Sequence, residues 1–250
     1  MDSLNCLSYQ TLRLLNKNRL LLPLVKAEVI KSELSIIEIP ETQQNELFQL
    51  FKNKLGIVNN EDLEKWMQVN NYDDGDIQHI YLSEVRIKKY CQEHYSHKIE
   101  AHFLKRKSEL DIVIYSLLRL ANRAIADELY LRIVEKEEEF GDLATKYSQG
   151  IERKTRGIIG PGPLGAMHPK LAKHISQSTP GETQAPIEVD GNQLIIRVES
   201  FDAAKLDKFM RDKMGEELFA SMVETKAKNI ISKLMTNFES RDNKKSLVGA

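Results

Sequence analysis

Apolar residues recur at intervals of three and four along the first 110 residues of the chain. This spacing places them on one face of a helix, so the sequence predicts a mostly helical N-terminal region. Pro40 separates two of the helices, and Gly56 is a typical C-terminal stop for the second. Asn60 and Asp73 are candidate N-terminal caps for two further helices.

The pattern changes at Asp111. The apolar, partly β-branched run Ile112–Leu118 predicts a strand. Helices are predicted next at 123–136 and at 140–147, and a loop rich in glycine and proline follows at 157–165.

Three short elements complete this second region. Pro169–Ser176 is predicted to be a helix with proline in its first turn, and Pro186–Val189 and Gln193–Val198 are predicted strands. Asp190-Gly191 between the strands favours a tight hairpin, because glycine accepts the positive φ of such a turn. A strand, helices and a closing hairpin in this order predict a small α+β domain with an antiparallel sheet.

The last region is helical again and carries a long apolar stripe. The stripe comprises Leu206, Met210, Met214, Leu218, Met222, Ile230, Leu234 and Phe238. A helix with such a stripe must pack on another surface. We therefore expect 203–238 to complete the helical domain formed by 1–110, with 111–200 as the α+β domain and 239–250 as a disordered tail.

The charge balance argues against nucleic acid as a partner. The chain has 36 Lys plus Arg and 37 Asp plus Glu, so no net field would draw it to a polyanion. Its longest N-terminal apolar run, Leu20–Val25, is shorter than the roughly 7–15 residues of a signal peptide core and the roughly 20 of a membrane span. We expect no membrane insertion and a cytoplasmic protein.

A metal site is an alternative function for residues 91–102. Cys91, His94, His97 and His102 lie within twelve residues of sequence. A structural zinc site needs about four converging ligands, whereas these positions drift around a single predicted helix. We expect no metal and no cofactor, and with two cysteines in all no disulfide framework.

Residues 111–199 resemble the parvulin family of peptidyl-prolyl isomerases. The resemblance rests on the strand at Ile112–Leu118, on the run Phe140–Ser148 with its F-x-x-L-A-x-x-Y-S pattern, on the following glycine-rich loop, and on Pro180-Gly181-Glu182 before the closing strands. A helical N-terminal segment, this domain and a long last helix also resemble the layout of SurA-type folding chaperones. That layout implies a chaperone-like helical domain.

The resemblance implies a proline-binding pocket. Aligning from Tyr147-Ser148 without gaps places Ile159, Met167 and Leu171 on the aliphatic, methionine and aromatic pocket positions of the family. All three are apolar, and leucine replaces the usual phenylalanine at 171. Ordinary core packing is the alternative role for these side chains.

The polar residues of the family's site are replaced in this chain. The two histidine positions read Ser116 and Leu194, the Cys or Asp position reads Gly150, and the Thr position reads Val189. Ser116 is thus the only polar candidate for a catalytic residue.

The resemblance implies a peptidyl-prolyl cis-trans isomerase, or foldase, that acts on unfolded or proline-containing polypeptide. The replaced polar residues predict weak turnover. A non-catalytic, peptide-binding holdase on the same fold is the alternative, and the sequence does not indicate the oligomeric state.

Overall fold

The computed structural model describes the backbone of residue 4 and of residues 6–248, with side chains up to residue 236. The fold is α+β, as predicted, and the chain forms two compact units. The helical unit contains the described residues up to Ile99 and from Asp207 onward, and the sheet unit is Glu100–Leu206.

The described residues form nine α-helices and four strands. The helices are α1 (Tyr9–Lys17), α2 (Leu21–Leu34), α3 (Glu41–Leu55), α4 (Asn60–Asn70), α5 (Asp74–Leu110), α6 (Arg123–Val134), α7 (Phe140–Tyr147), α8 (Pro169–Ser176) and α9 (Lys208–Val248). The strands are β1 (Ile112–Leu120), β2 (Ile158–Pro163), β3 (Thr183–Val189) and β4 (Asn192–Asp202).

Short polar side chains start several of these helices. Ser8 accepts a hydrogen bond from the Thr11 amide, and Asn59 accepts one from the Asp62 amide, which satisfies amides that have no partner within the helix. At the start of α5, Asp73 Oδ1 accepts from the Asp76 amide. The cap of α4 is therefore one residue earlier than the predicted Asn60.

The helical unit has one apolar core, to which both ends of the chain contribute. Its buried members include Leu12, Leu21, Val25, Val29, Leu34, Leu82, Phe219, Val223 and Ala227. Helix α9 packs against α2. Its stripe is buried at Met214, half-buried at Leu218 and Met222, and continued by Phe219 and Val223. The predicted stripe position Phe238 has a side chain outside the described residues.

Helix α9 differs from its predicted bounds at both ends. It begins at Lys208 because the Asp207 carboxylate accepts a hydrogen bond from the Met210 amide and caps it. It continues to Val248 over most of the segment expected to be disordered, since no glycine or proline interrupts 216–248. Residues 249–250 of that predicted tail lie outside the described part of the chain.

The sheet unit contains a four-stranded antiparallel sheet in the order β2-β1-β4-β3. The hairpin between β3 and β4 turns at Asp190 and Gly191, with φ values of 50° and 76°. Each face of the sheet has a separate apolar core. One face packs with α8, through Leu171 and Ile175, and the other packs with α6 and α7.

Strand β2 lies where a loop was predicted. It pairs with β1 as an edge strand, with Ile159 opposite Tyr115 and Pro163 opposite Ile112. Proline is tolerated on an edge strand because one side of the strand needs no ladder hydrogen bonds. Glycine is required at Gly160, where φ is 110° and a Cβ would lie 2.6 Å from the carbonyl oxygen of Val113.

Among the described residues, no helix combines the length and the apolar character that crossing a membrane requires.

Candidate functional site

The site is built on one face of the sheet, where β1 alternates its side chains between the two cores. Val113, Tyr115 and Leu117 belong to the core that packs with α8, whereas Leu118 and Leu120 belong to the core on the opposite face. The face on which a side chain of β1 lies therefore determines which of the two cores it contacts.

The structure brings the three predicted pocket residues together. Leu171 on α8 is a buried member of the core on the Tyr115 face, and Ile159 on β2 and Met167 before α8 pack against the same core. Ile159 and Met167 are half-buried, so both reach the surface beside the buried Leu171. The three side chains thus form an apolar patch, and its role as a proline-binding pocket stays a prediction.

The structure does not place Ser116 in this patch. The Ser116 hydroxyl donates to the Glu199 carboxylate, which also accepts from Arg197. Together these side chains line a small cavity of about 270 Å³ with Arg156. Ser116 was the predicted catalytic candidate, and its side chain lies away from the apolar patch, because a shift of one residue in a strand moves a side chain to the other face of the sheet.

Tyr115, rather than Ser116, faces the core that contains the apolar patch. Its side chain is buried in the same core as Leu171 and Leu194. Burial raises the pKa of the Tyr115 hydroxyl above its ordinary value of 10.0; the nearby Arg119 guanidinium opposes the rise and the Glu152 carboxylate adds to it. The hydroxyl therefore stays protonated, and able to donate a hydrogen bond, throughout the physiological pH range.

The carboxylate whose charge acts on Tyr115 is itself buried. Glu152 lies in the 3₁₀ turn Ile151–Thr155 and is 3% exposed. Its Oε1 accepts a hydrogen bond of 2.7 Å from the Ser148 hydroxyl, and Arg119 Nε lies 3.6 Å from the same oxygen. A charged group at such a depth is tolerated only when it is paired and hydrogen-bonded. Arg119 provides the charge pair, and Ser148 provides the hydrogen bond.

Gly150 makes room for this carboxylate. A Cβ built on Gly150 would overlap both Glu152 carboxylate oxygens. Gly150 is the residue that aligns with the Cys or Asp of the parvulin pattern, so the space next to that backbone position is filled by an acidic group from two residues further along. Glu152, Arg119 and Ser148 thus form a polar cluster beside this backbone position, and the charges of Glu152 and Arg119 act on the Tyr115 hydroxyl.

Arg119 has an unsatisfied donor within this cluster. Its Nε is buried and has no hydrogen-bond partner among the described residues, while 42% of the side chain is exposed. One edge of the guanidinium therefore points inward toward Glu152, and the remainder is available at the surface.

A separate groove opens on the other side of Met167. It has a volume of about 480 Å³ and is lined by Leu164, Pro169, Ala172 and Lys173. It contains neither Ile159 nor Leu171. We favour the sheet face over this groove as the site, because only the sheet face combines apolar side chains with a buried polar cluster.

The alternative metal site does not form in the part of the chain that the structure covers. Cys91, His94, His97 and His102 all lie on the continuous helix α5. No group of three or more His, Cys, Asp or Glu side chains in the described residues could hold a metal ion.

The sheet unit matches a known family by sequence. Residues 119–200 match the family model of the rotamases, described as the PPIC-type PPIASE domain. The chain thus carries a parvulin-type peptidyl-prolyl isomerase domain over this range, as the F-x-x-L-A-x-x-Y-S run and its neighbours predicted. Among curated proteins, no relative matches the chain.

Several solved structures are similar to the chain at low sequence identity. The peptidylprolyl isomerase PrsA from Bacillus cereus is 15% identical, with a TM-score of 0.49, over 92% of this chain and 88% of that one. A structure from a study of two SurA-like chaperones of Campylobacter jejuni is 14% identical, with a TM-score of 0.38, over 86% and 92%. The parvulin domain of Escherichia coli PpiD is 20% identical, with a TM-score of 0.34, over 40% and 97%.

Sequence reasoning did not propose Tyr115 or Glu152 for the candidate site. Tyr115 was detectable, since it adjoins the proposed histidine position and alternation allows either register. Glu152 carried no signal, because its place at the site depends on the turn at Ile151–Thr155 and on the missing side chain of Gly150.

Proposed function

We propose that the chain is a parvulin-type peptidyl-prolyl cis-trans isomerase that assists the folding of proline-containing polypeptide. The single observation that carries the proposal is the patch on the sheet face, where Ile159, Met167 and Leu171 adjoin the buried polar cluster of Tyr115 and Glu152. The match of residues 119–200 to the PPIC-type domain supports the reaction type.

The apolar patch supplies the binding part of the mechanism. Rotation about an X–Pro bond breaks no covalent bond but loses amide resonance, against a barrier of about 20 kcal/mol. A pocket accelerates the rotation when it binds the twisted amide more tightly than the planar one. Ile159, Met167 and Leu171 would hold the proline ring, and the neighbouring carbonyl would then be free to turn.

The polar cluster supplies the positioning part. The Tyr115 hydroxyl is a neutral donor, and it would hydrogen-bond a carbonyl of the bound peptide. The Glu152 carboxylate and the Arg119 guanidinium fix the polar edge of the pocket through Ser148. The two histidine positions of the family read Ser116 and Leu194 in this chain, so we propose turnover slower than that of a parvulin with two histidines.

Met167→Glu tests the pocket. A carboxylate in an apolar patch costs several kcal/mol unless it finds a partner, so we expect the affinity for a proline-containing peptide to fall about tenfold or more. Catalysed isomerisation should fall with it.

Leu131→Glu is the matched control, since Leu131 is 53% exposed on α6. Both quantities should be unchanged in that variant. Unaltered peptide affinity in Met167→Glu, with the fold intact by circular dichroism, would place the pocket elsewhere.

A non-catalytic holdase is the second candidate function. It is favoured by the replacement of both histidine positions, which leaves apolar contacts as the main source of affinity. Unfolded or proline-containing polypeptide is the proposed partner in either case. The cytoplasmic location stays a prediction.

A further inference from the structure

The helical unit contains a cluster of aromatic side chains at the edge of its core, which it meets through the half-buried Tyr81. Helices α3 and α4 have no buried residue. Phe48 lies 5.3 Å from Tyr81 between ring centroids, Phe51 lies 5.8 Å from Trp66, and Trp66 lies 5.5 Å from Tyr72. Rings in an ordinary core would be covered on all sides, whereas Tyr72 is 40% exposed.

Two depressions open on this cluster and share one methionine. The first, of about 420 Å³, is lined by Phe48, Leu63, Met67 and Tyr81, and the second, of about 580 Å³, is lined by Met67 and Tyr72. We call the two depressions together the aromatic cleft. Methionine is unbranched and polarisable, so a cleft centred on Met67 can adapt to apolar side chains of different shapes.

The rim of the aromatic cleft is acidic. Glu41 and Asp74 line the first depression, and Glu64, Asp73 and Asp76 line the second. None of the described residues that line either depression is a lysine or an arginine.

Two basic side chains near the cleft are already engaged. Lys31 forms an ion pair of 2.7 Å with Asp76, so the negative charge of Asp76 is already balanced. Lys52 Nζ lies over the Phe48 ring at 5.1 Å from its centroid. Four rim carboxylates, those of Glu41, Glu64, Asp73 and Asp74, keep the rim negative.

We propose that the aromatic cleft binds a polypeptide segment in which large apolar side chains are flanked by lysine or arginine. The apolar side chains would enter the two depressions and contact Phe48 and Met67. The basic side chains would meet the rim carboxylates and stack on the exposed ring of Tyr72, an arrangement that adds cation–π attraction. The proposal depends on the helical unit alone and goes beyond the isomerase function of the sheet unit.

Trp66 makes the proposal directly measurable, because it is the only tryptophan of the chain and belongs to the aromatic cluster. The full chain is titrated with a proline-free 12-residue peptide of leucine and phenylalanine flanked by lysine. We expect a saturable change in tryptophan emission that weakens as salt is raised from 50 to 500 mM, since screening acts on exposed charge pairs.

Two further peptides test the chemistry of the occupant. The same sequence with glutamate in place of lysine, and the same sequence with serine in place of leucine and phenylalanine, should each bind at least tenfold more weakly. Equal affinity for the acidic peptide, or binding that is insensitive to salt, would overturn the proposal.

Charge reversal on the rim completes the test. The double variant Glu64→Lys with Asp74→Lys should lower the affinity for the basic peptide at least tenfold. Glu188→Lys with Glu216→Lys, which changes the net charge equally at exposed positions that line neither depression, should change the affinity less than threefold.

If the charge-reversed double variant does not fold, the neutral double variant Glu64→Gln with Asp74→Asn replaces it. The neutral variant should lower the affinity for the basic peptide about fivefold. Equal losses in the rim and control pairs would overturn the proposal. So would a tryptophan change that appears with rising protein concentration alone, because a second copy of the chain would then be the occupant.

Discussion

Glu152 is a buried carboxylate whose neighbours explain why it is there. Ser148 donates to it, Arg119 lies beside it, and Gly150 leaves the space that it fills. Isolated burial of such a charge would be costly, and its partners offset that cost only while all of them are in place. The cluster therefore supports both the stability of the sheet unit and the polar edge of the proposed pocket.

Glu152→Gln should expose this double role. The variant keeps the shape but loses the charge that Arg119 faces, so we expect a loss of about 1–3 kcal/mol in the free energy of unfolding, measured by urea denaturation. The catalysed isomerisation rate should fall at constant peptide affinity. Glu188→Gln, on an exposed position of β3, should change neither quantity, and a Glu152→Gln variant that behaves like it would show that the cluster is inert.

His174 gives the sheet unit a pH dependence. Its Nε2 is buried without a hydrogen-bond partner among the described residues, and burial lowers the pKa of the imidazole below 6.5. The unfolded chain therefore takes up a proton at a pH where the folded protein does not, so stability is full above pH 6.5 and decreases as the pH falls below it.

The expected result is a smaller free energy of unfolding at pH 5.5 than at pH 7.5. In His174→Gln, which has no proton to gain, the difference between the two pH values should shrink. Equal differences in the two proteins, measured by urea denaturation, would contradict the assignment to His174.

Among single residues, apolar positions were predictable and polar ones were not. Ile159, Met167 and Leu171 were placed by aligning the chain with the parvulin pattern from Tyr147-Ser148. All three pack on one core, and their pocket role stays a prediction. Ser116 was misplaced because sequence alone does not fix which face of β1 a residue occupies. Glu152 lies in the candidate site because of the 3₁₀ turn Ile151–Thr155, and such a turn has no periodic pattern of apolar residues in the sequence.

At the scale of elements, helices were the most predictable part of the fold. Spacing of three and four predicted α3, α4 and α9, and polar caps such as Asn59 and Asp207 mark their starts. Strand β2 was missed, because its glycines and prolines disfavour a strand on composition. Pairing with β1 at the edge of the sheet, which is a tertiary effect, overrides that preference.

Gly215 is the point of close approach between α9 and α5. A Cβ on Gly215 would lie 3.0 Å from the Cβ of Cys91. Gly215→Leu should therefore overpack the contact and lower the free energy of unfolding by about 1–3 kcal/mol. Ala220→Leu, on the exposed face of the same helix, should stay within about 0.5 kcal/mol of the unaltered protein.

Cys91 reports the same contact independently. Burial raises the pKa of its thiol to about 11, so at pH 8 it should react slowly with a thiol reagent in the folded protein. Labelling of Cys91, followed by mass spectrometry, should be faster in Gly215→Leu than in Ala220→Leu. Equal labelling rates would mean that α9 does not depend on this glycine.

At the scale of the whole molecule, the two proposed peptide-binding sites belong to different units. The sheet unit contains the proposed proline pocket, and the helical unit contains the aromatic cleft with its acidic rim. Because the two sites differ in chemistry, a proline-containing apolar segment and a basic apolar segment should not compete. A foldase with both could hold one part of a chain while acting on another.

The most direct test of the account is the rate of cis–trans exchange in a short X–Pro peptide, measured by NMR exchange spectroscopy with a small amount of the full chain. The uncatalysed exchange takes tens of seconds or longer. We predict a measurable acceleration that Met167→Glu abolishes and Leu131→Glu preserves. Peptide binding without any acceleration would contradict the isomerase and leave the holdase as the function of the sheet unit.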